Sequence, residues 1–260
     1  MSNTYWQDRQ ANSLNKLSRK SQKAIDAQMR KYYKKAMENT INSFSETYIK
    51  ILDTLEAGKN PTPADLYKLD TYWKMQGQLK IELEKLGAKQ IKALSQAFEA
   101  NFFDVYYSIA LQGVEAFDTV DTAIVQQMIN GIWCADGKSW SQRVWDNTSK
   151  LAETLNDELV NCVATGKKPS ELKKILQERF SVSFNQADTL VRTELAHIQV
   201  QAAQKRFEDY GIEKVRVWAS KDERQCEVCG KLHNTIHFVS EPLPIPAHPK
   251  CRCSVIAVVD

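Results

Sequence analysis

The chain has 260 residues, 43% of them hydrophobic and 26% charged, with a net charge of +3. That length supports one large core or two modest ones, and no stretch approaches the run of about 20 apolar residues that a membrane span needs. Six cysteines are too sparse for a disulfide-dense secreted scaffold, and the opening Met1-Ser2-Asn3-Thr4-Tyr5-Trp6 has no apolar leader core.

From Trp6 to about Ala57 neither Gly nor Pro occurs. Leu14, Leu17, Ile25, Met29, Tyr33, Ala36, Ile41, Phe44, Tyr48 and Ile51 recur at helical spacing, which predicts one very long helix or two collinear ones. Arg19, Lys20, Lys23, Arg30, Lys31, Lys34 and Lys35 make this stretch basic, against Asp26 alone between Arg9 and Lys35. Two readings stand for the run: an arm that tracks a phosphate backbone, or a solvated helix face rich in lysine. The cations do not form one clean stripe.

Thr62-Pro63 then starts a helix, with Thr as N-cap and Pro at the first helical position, predicted to run to Gly87. Another is expected from Ala88 to about Phe117, with Phe98, Phe102 and Tyr106 as core knobs rather than a ligand cage. Asp121 can cap a helix reaching Trp133. Asp136-Gly137 is the clearest punctuation mid-chain and marks the expected boundary between regions 1–135 and 136–260. After it Ser139-Trp140-Ser141 opens a helix closed by Gly166, and Ser170 caps a short one. Ser183 with Gln186 reads as a capping box for a long helix ending at Tyr210-Gly211. The period then changes: Val215 and Val217, Ile236 and Phe238, and the run 255–259 predict three short strands.

Chemistry concentrates in this tail. Cys226-x-x-Cys229 puts two thiolates on one tight turn, and His248-x-x-Cys251-x-Cys253 can complete a tetrahedral set. Zinc suits sulfur and imidazole donors of this kind. Five candidates for four positions leave one spare. A site filled by four protein ligands has no open position for substrate, so its expected role is structural. Free structural thiols are the plainer reading of the same cysteines.

Arg192 and Glu194 lie two apart on a helix and so cannot face each other. They are expected to join a structural ion network with groups such as Asp222 and Arg224, rather than to catalyse. His197, His233 and His237 are too scattered to propose a hydrolase. The predicted fold is therefore mainly α: long N-terminal helices and a helical array, then a helical region ending in a small zinc-stapled α+β module over about residues 212–260. A unit of that size generally depends on its metal to stay folded.

Several blocks in order carry a resemblance: Ser139-Trp140-Ser141-Gln142-Arg143; Gly166 with Ser170-Glu171; Leu190-Val191-Arg192-Thr193-Glu194; Trp218 with Asp222-Glu223-Arg224-Gln225-Cys226 and Cys229; and Ala247-His248-Pro249-Lys250-Cys251-Arg252-Cys253. Together they resemble tailed-phage head-morphogenesis proteins, the minor capsid proteins similar to phage Mu protein F, over roughly positions 136–253. Leu232-His233-Asn234 departs from the family's usual Leu-Asp/Asn-Gly after the second Cys. The resemblance implies a non-enzymatic virion component in few copies inside the head, present in the host cytoplasm during assembly. It implies the portal protein and packaged double-stranded DNA as partners, with scaffolding or major capsid protein as further ones and no membrane. The alternative is a metal-dependent nuclease or transferase acting on nucleic acid.

Overall fold

The computed structural model describes residues 3–54, 62–109, 119–219 and 225–258. Seven helices and three strands occur among them: α1 (Asn3–Thr54), α2 (Pro63–Tyr67), α3 (Asp70–Ser108), α4 (Thr122–Asn130), α5 (Trp140–Ala164), α6 (Pro169–Asp209), β1 (Lys214–Trp218), α7 (Glu227–Leu232), β2 (Ile236–Phe238) and β3 (Ser254–Ala257). The mainly helical class with a small terminal sheet is as expected.

The chain gathers into two compact units: Met1–Asp26 with Ala93–Trp140 and Asp188–Asp260, and Ala27–Lys92 with Ser141–Ala187. In the second, Tyr33, Phe44, Tyr48, Leu79, Leu83, Leu155, Leu159, Leu176 and Phe180 are buried. Tyr48 Oη donates to the Cys162 and Lys167 carbonyls where α5 ends, at 3.0 and 2.5 Å, and burial pushes its phenol up to about 12. In the first, Leu14, Phe98, Phe102, Tyr106, Leu195, Val215 and Val217 are among the buried apolar residues.

The first fifty residues make one helix, not two. Two expected breaks are absent, and each has a packing reason. Gly87 lies inside α3, where a methyl group would stand 2.5 Å from a ring carbon of Trp145; the glycine is there for close approach, not as a stop. Ser183 lies inside the single 41-residue helix α6 and is 3% exposed, with its Oγ 3.3 Å from Tyr33 Oη. The predicted capping box is thus a tertiary contact, because Tyr33 satisfies the hydroxyl that would otherwise compete with the helix backbone. The helix instead begins at Pro169, with the Lys168 N–H donating to Glu171 Oε2 at 2.8 Å.

Ser170 also lies inside α6 rather than capping a helix. The helix expected from Pro63 to Gly87 is interrupted, α2 ending at Tyr67 and α3 starting at Asp70. The punctuation at Asp121, Gly166 and Gly211 behaves as read. Asp121 accepts from the Ala123 N–H at 2.8 Å, although α4 ends at Asn130, short of Trp133. Gly166 and Gly211 take φ of +63° and +70° just past α5 and α6, the left-handed position that ends many helices. The stop expected near Gly58 and the helix end expected near Phe117 lie outside the described residues.

The sheet has the order β2-β1-β3, antiparallel throughout. Val215 and Val217 point to one face and are fully buried. Trp218 and Ile256 belong to the other face and pack with Ala11 of α1; the Trp218 indole N–H donates to Asp8 Oδ1 at 3.0 Å. The sheet is thereby tied to the start of the chain.

Candidate metal centre

The two sequence clusters converge. Cys226 opens α7 as its N-cap, its Sγ accepting from the Cys229 N–H at 3.3 Å, so the one-turn helix sets both sulfurs on the same side. His248 Nε2 lies 3.2 Å from Cys226 Sγ and 3.1 Å from Cys229 Sγ. Cys229 Sγ lies 3.7 Å from Cys251 Sγ. Cys226, Cys229 and His248 form one group, and Cys229, Cys251 and Cys253 another, with the donor atoms of each within 4.8 Å of one another. Cys229 belongs to both. A cavity of about 30 Å³ is lined by Cys226, Cys229, His248 and Cys253.

The donor set fits zinc. Two thiolates at about 2.3 Å from a tetrahedral ion stand about 3.8 Å apart, close to the 3.7 Å between Cys229 and Cys251. The crowded thiols also perturb one another. Burial pushes the Cys229 thiol up to about 12, while the Cys229 N–H holds Cys226 below the usual thiol range. Hydrogen bonding from the Cys253 thiol draws Cys251 down to about 5, and the same contact drives Cys253 upward. Clustered sulfurs cannot all ionise together without a positive charge among them.

Helix α6 meets the turn between two candidate ligands through Thr193 and Asp188, while Arg192 and Glu194 reach other segments. Arg192 donates from Nε to Asp188 Oδ1 at 2.9 Å, and with the Gln22 side-chain amide turned so that its oxygen faces the guanidinium, Nη2 donates to it at 3.0 Å. Thr193 Oγ1 donates to the Thr189 carbonyl at 2.7 Å and accepts from the Lys250 N–H at 3.1 Å. Glu194 is 2% exposed and accepts from the Trp133 indole N–H at 2.9 Å. Lys250 Nζ also lies 3.7 Å from Asp188 Oδ2. Lys250 has φ of +61°, a strained conformation for a lysine, and its backbone hydrogen bond to Thr193 holds it between two candidate ligands.

Sequence reasoning named Arg192 and Glu194 but missed Thr193, Asp188, Lys250 and Trp133. The place of Lys250 between His248 and Cys251 was a usable signal. The expected partners Asp222 and Arg224 lie outside the described residues. The seven basic residues Arg19, Lys20, Lys23, Arg30, Lys31, Lys34 and Lys35 are all exposed; Arg30 lies over the Phe184 ring at 4.6 Å and Lys34 is 3.9 Å from Glu38.

The departure at Asn234 is resolved by its backbone, which has φ of +69°. Asparagine is the commonest substitute for glycine in that region. His233 packs edge-on against Trp218, and its Nδ1 accepts from the Ala219 N–H at 3.3 Å. A second cavity of about 800 Å³ lies beside the centre, lined by Trp133, Thr193, His197 and the segment 242–249. His197 stacks on Trp133 with ring centroids 4.1 Å apart.

Among the described residues no helix is long and apolar enough to cross a membrane. No solved structure matches the chain. It is 26% identical over 142 residues to NAD(+)--arginine ADP-ribosyltransferase EFV of Enterococcus faecalis, an overlap covering 48% of this chain and 29% of that protein. A family model described as Phage Mu protein F like protein matches residues 153–256, a span that contains α6, β1, β2, all but the last residue of β3 and all five candidate ligands. Over residues 153–256 the chain is thus similar to phage Mu protein F, and the resemblance read from the sequence motifs is borne out there.

Proposed function

We propose that this protein is a minor capsid component of a tailed phage that acts in head assembly without catalysing a reaction. It is carried in few copies inside the head, contacts the portal protein and packaged double-stranded DNA, and serves procapsid assembly and genome delivery. The observation that carries this reading is the joint one: a Phage Mu protein F like segment whose five Cys and His side chains converge on a docked, strand-bearing module.

In this reading Cys226, Cys229 and His248 hold one structural zinc, with Cys251 or Cys253 in the fourth position. The ion would supply the charge that lets neighbouring sulfurs ionise together. Region 136–260 is the assembly region, its residues shared between the two compact units. Region 1–135 supplies the basic surface, with Arg19, Lys20, Lys23, Arg30, Lys31, Lys34 and Lys35 as the phosphate contacts and scaffolding or major capsid protein as further neighbours.

Three measurements test it. Metal analysis of purified protein is expected to find one zinc per chain, lost in Cys226→Ser; a well-folded protein without metal overturns the site. Retardation of duplex DNA is expected to weaken with salt and on deletion of residues 1–35. Recovery of the protein with the portal, from filled heads and from procapsids, is the third; absence from both overturns the virion assignment.

The similarity to an ADP-ribosyltransferase favours one rival, a transferase, alongside a metal-dependent nuclease. Incubation with labelled NAD and arginine-bearing acceptors, or with DNA and added metal, separates these. Robust turnover abolished by Glu194→Ala would replace the structural reading.

A further inference from the structure

Strand β2 is an outer strand of the sheet, short at three residues, but it carries neither a lysine or carboxylate nor a proline. Such edges are normally blunted by charged side chains, proline or a covering element. Here Ile236 and Phe238 are each 50% exposed, and Val228 of the preceding α7 is 52% exposed.

The register fixes which backbone groups face outward. Val217 and Thr235 are hydrogen-bonded across the ladder, as are Glu213 and Val239, through Val217 N–H to Thr235 O and Val239 N–H to Glu213 O, both 2.9 Å. Antiparallel pairs alternate between bonded and non-bonded, so Arg216 with Ile236 and Lys214 with Phe238 are non-bonded pairs. The N–H and C=O of Ile236 and the N–H of Phe238 therefore point away from β1. Among the described residues none of these three groups has a backbone partner.

The same register puts Lys214 and Arg216 on the face that carries Ile236 and Phe238, and Lys214 Nζ lies 5.7 Å from the Phe238 ring centroid. At the far end of this face Trp218 and Ile256 are covered by Ala11 of α1. The near end thus combines an open edge, two apolar side chains and two cations.

We propose that the β2 edge is a docking site for an extended segment of a partner protein, one whose apolar residues alternate with acidic ones. The segment adds as a strand beside β2, exchanging both main-chain hydrogen bonds with Ile236, as in other cases of strand addition. Its apolar side chains cover Ile236 and Phe238, and its carboxylates meet Lys214 and Arg216. This surface is separate from the ligand cluster and does not depend on the assignment of the metal.

The test uses the full chain and a short fluorescein-labelled peptide of alternating valine and glutamate. Controls are a valine–lysine peptide, the valine–glutamate peptide N-methylated at alternate residues, and a labelled single-stranded oligothymidine. Anisotropy is expected to show binding of the first peptide alone. Hydrogen exchange at the Ile236 and Phe238 amides is expected to slow by about tenfold or more on binding. Phe238→Lys and the milder Ile236→Thr, both with zinc content and melting temperature checked, are expected to weaken binding by about tenfold. The proposal is overturned by equal binding of the lysine peptide or the oligonucleotide, by protection elsewhere than Ile236 and Phe238, or by affinity that survives both substitutions. Self-association of the chain through this edge, seen by sedimentation and abolished by Phe238→Lys, would assign the surface to a second copy instead.

Discussion

The Lys250 N–H donates to Thr193 Oγ1 at 3.1 Å, pinning the turn between His248 and Cys251 to the middle of a 41-residue helix. Thr193→Val keeps the shape and removes both hydrogen bonds of the hydroxyl. The expected loss is about 1–2 kcal/mol of stability, with zinc affinity down roughly tenfold or more, as for other outer partners of metal sites. Thr193→Ser is expected to retain most of both. Competition with a chromophoric chelator reads the affinity, and thermal melting reads the stability.

Cys229 belongs to both donor groups, which ranks the cysteines. Cys229→Ser is expected to abolish zinc retention. Of Cys251→Ser and Cys253→Ser, one should abolish it and the other leave it nearly intact, identifying the spare. Chelation of wild type is expected to melt the sheet while leaving helical circular dichroism largely in place. Retention of metal by Cys229→Ser would show that the sulfurs do not share an ion.

A methyl group at Gly87 would meet the Trp145 ring at 2.5 Å. Gly87→Ala raises intrinsic helix propensity, yet it is expected to destabilise by about 1–3 kcal/mol because the ring has to shift. Combined with Trp145→Leu, the same alanine should cost far less than it does alone. A double-mutant cycle by denaturant melts checks the coupling, and additive effects would disprove the contact.

Burial pulls the His197 imidazole down from its ordinary value to about 4. An unfolded chain takes up that proton near pH 6.5. Between those values the unfolded state binds more protons, so stability falls as pH drops from about 6.5 toward 4. His197→Gln shares every metal ligand with wild type, so the difference between their melting curves isolates this residue. The difference is expected to narrow with acid and to be constant above about pH 7.

Much of the candidate site was legible in the chain, because ligand spacing is a local property. Cys226-x-x-Cys229 forms one turn whatever surrounds it, and the strand period at Val215 and Val217 reads directly from two-residue alternation. The helix punctuation at Asp121, Gly166 and Gly211 was legible for the same reason: each is decided by a side chain or backbone preference within a few residues.

What resisted reading depends on neighbours distant in sequence. Gly87 and Ser183 carry stop or cap signals locally, and only Trp145 and Tyr33 make them interior helix residues. Thr193 looks like any helical threonine until Lys250 arrives from 57 positions later. The sequence by itself determined a mainly helical chain, its terminal strands and a set of sulfur and imidazole donors, since propensity and spacing act over a few residues. Only the tertiary structure decided which donors converge, which helix carries them and which strand edge is left open, because those depend on contacts between segments that no local pattern encodes.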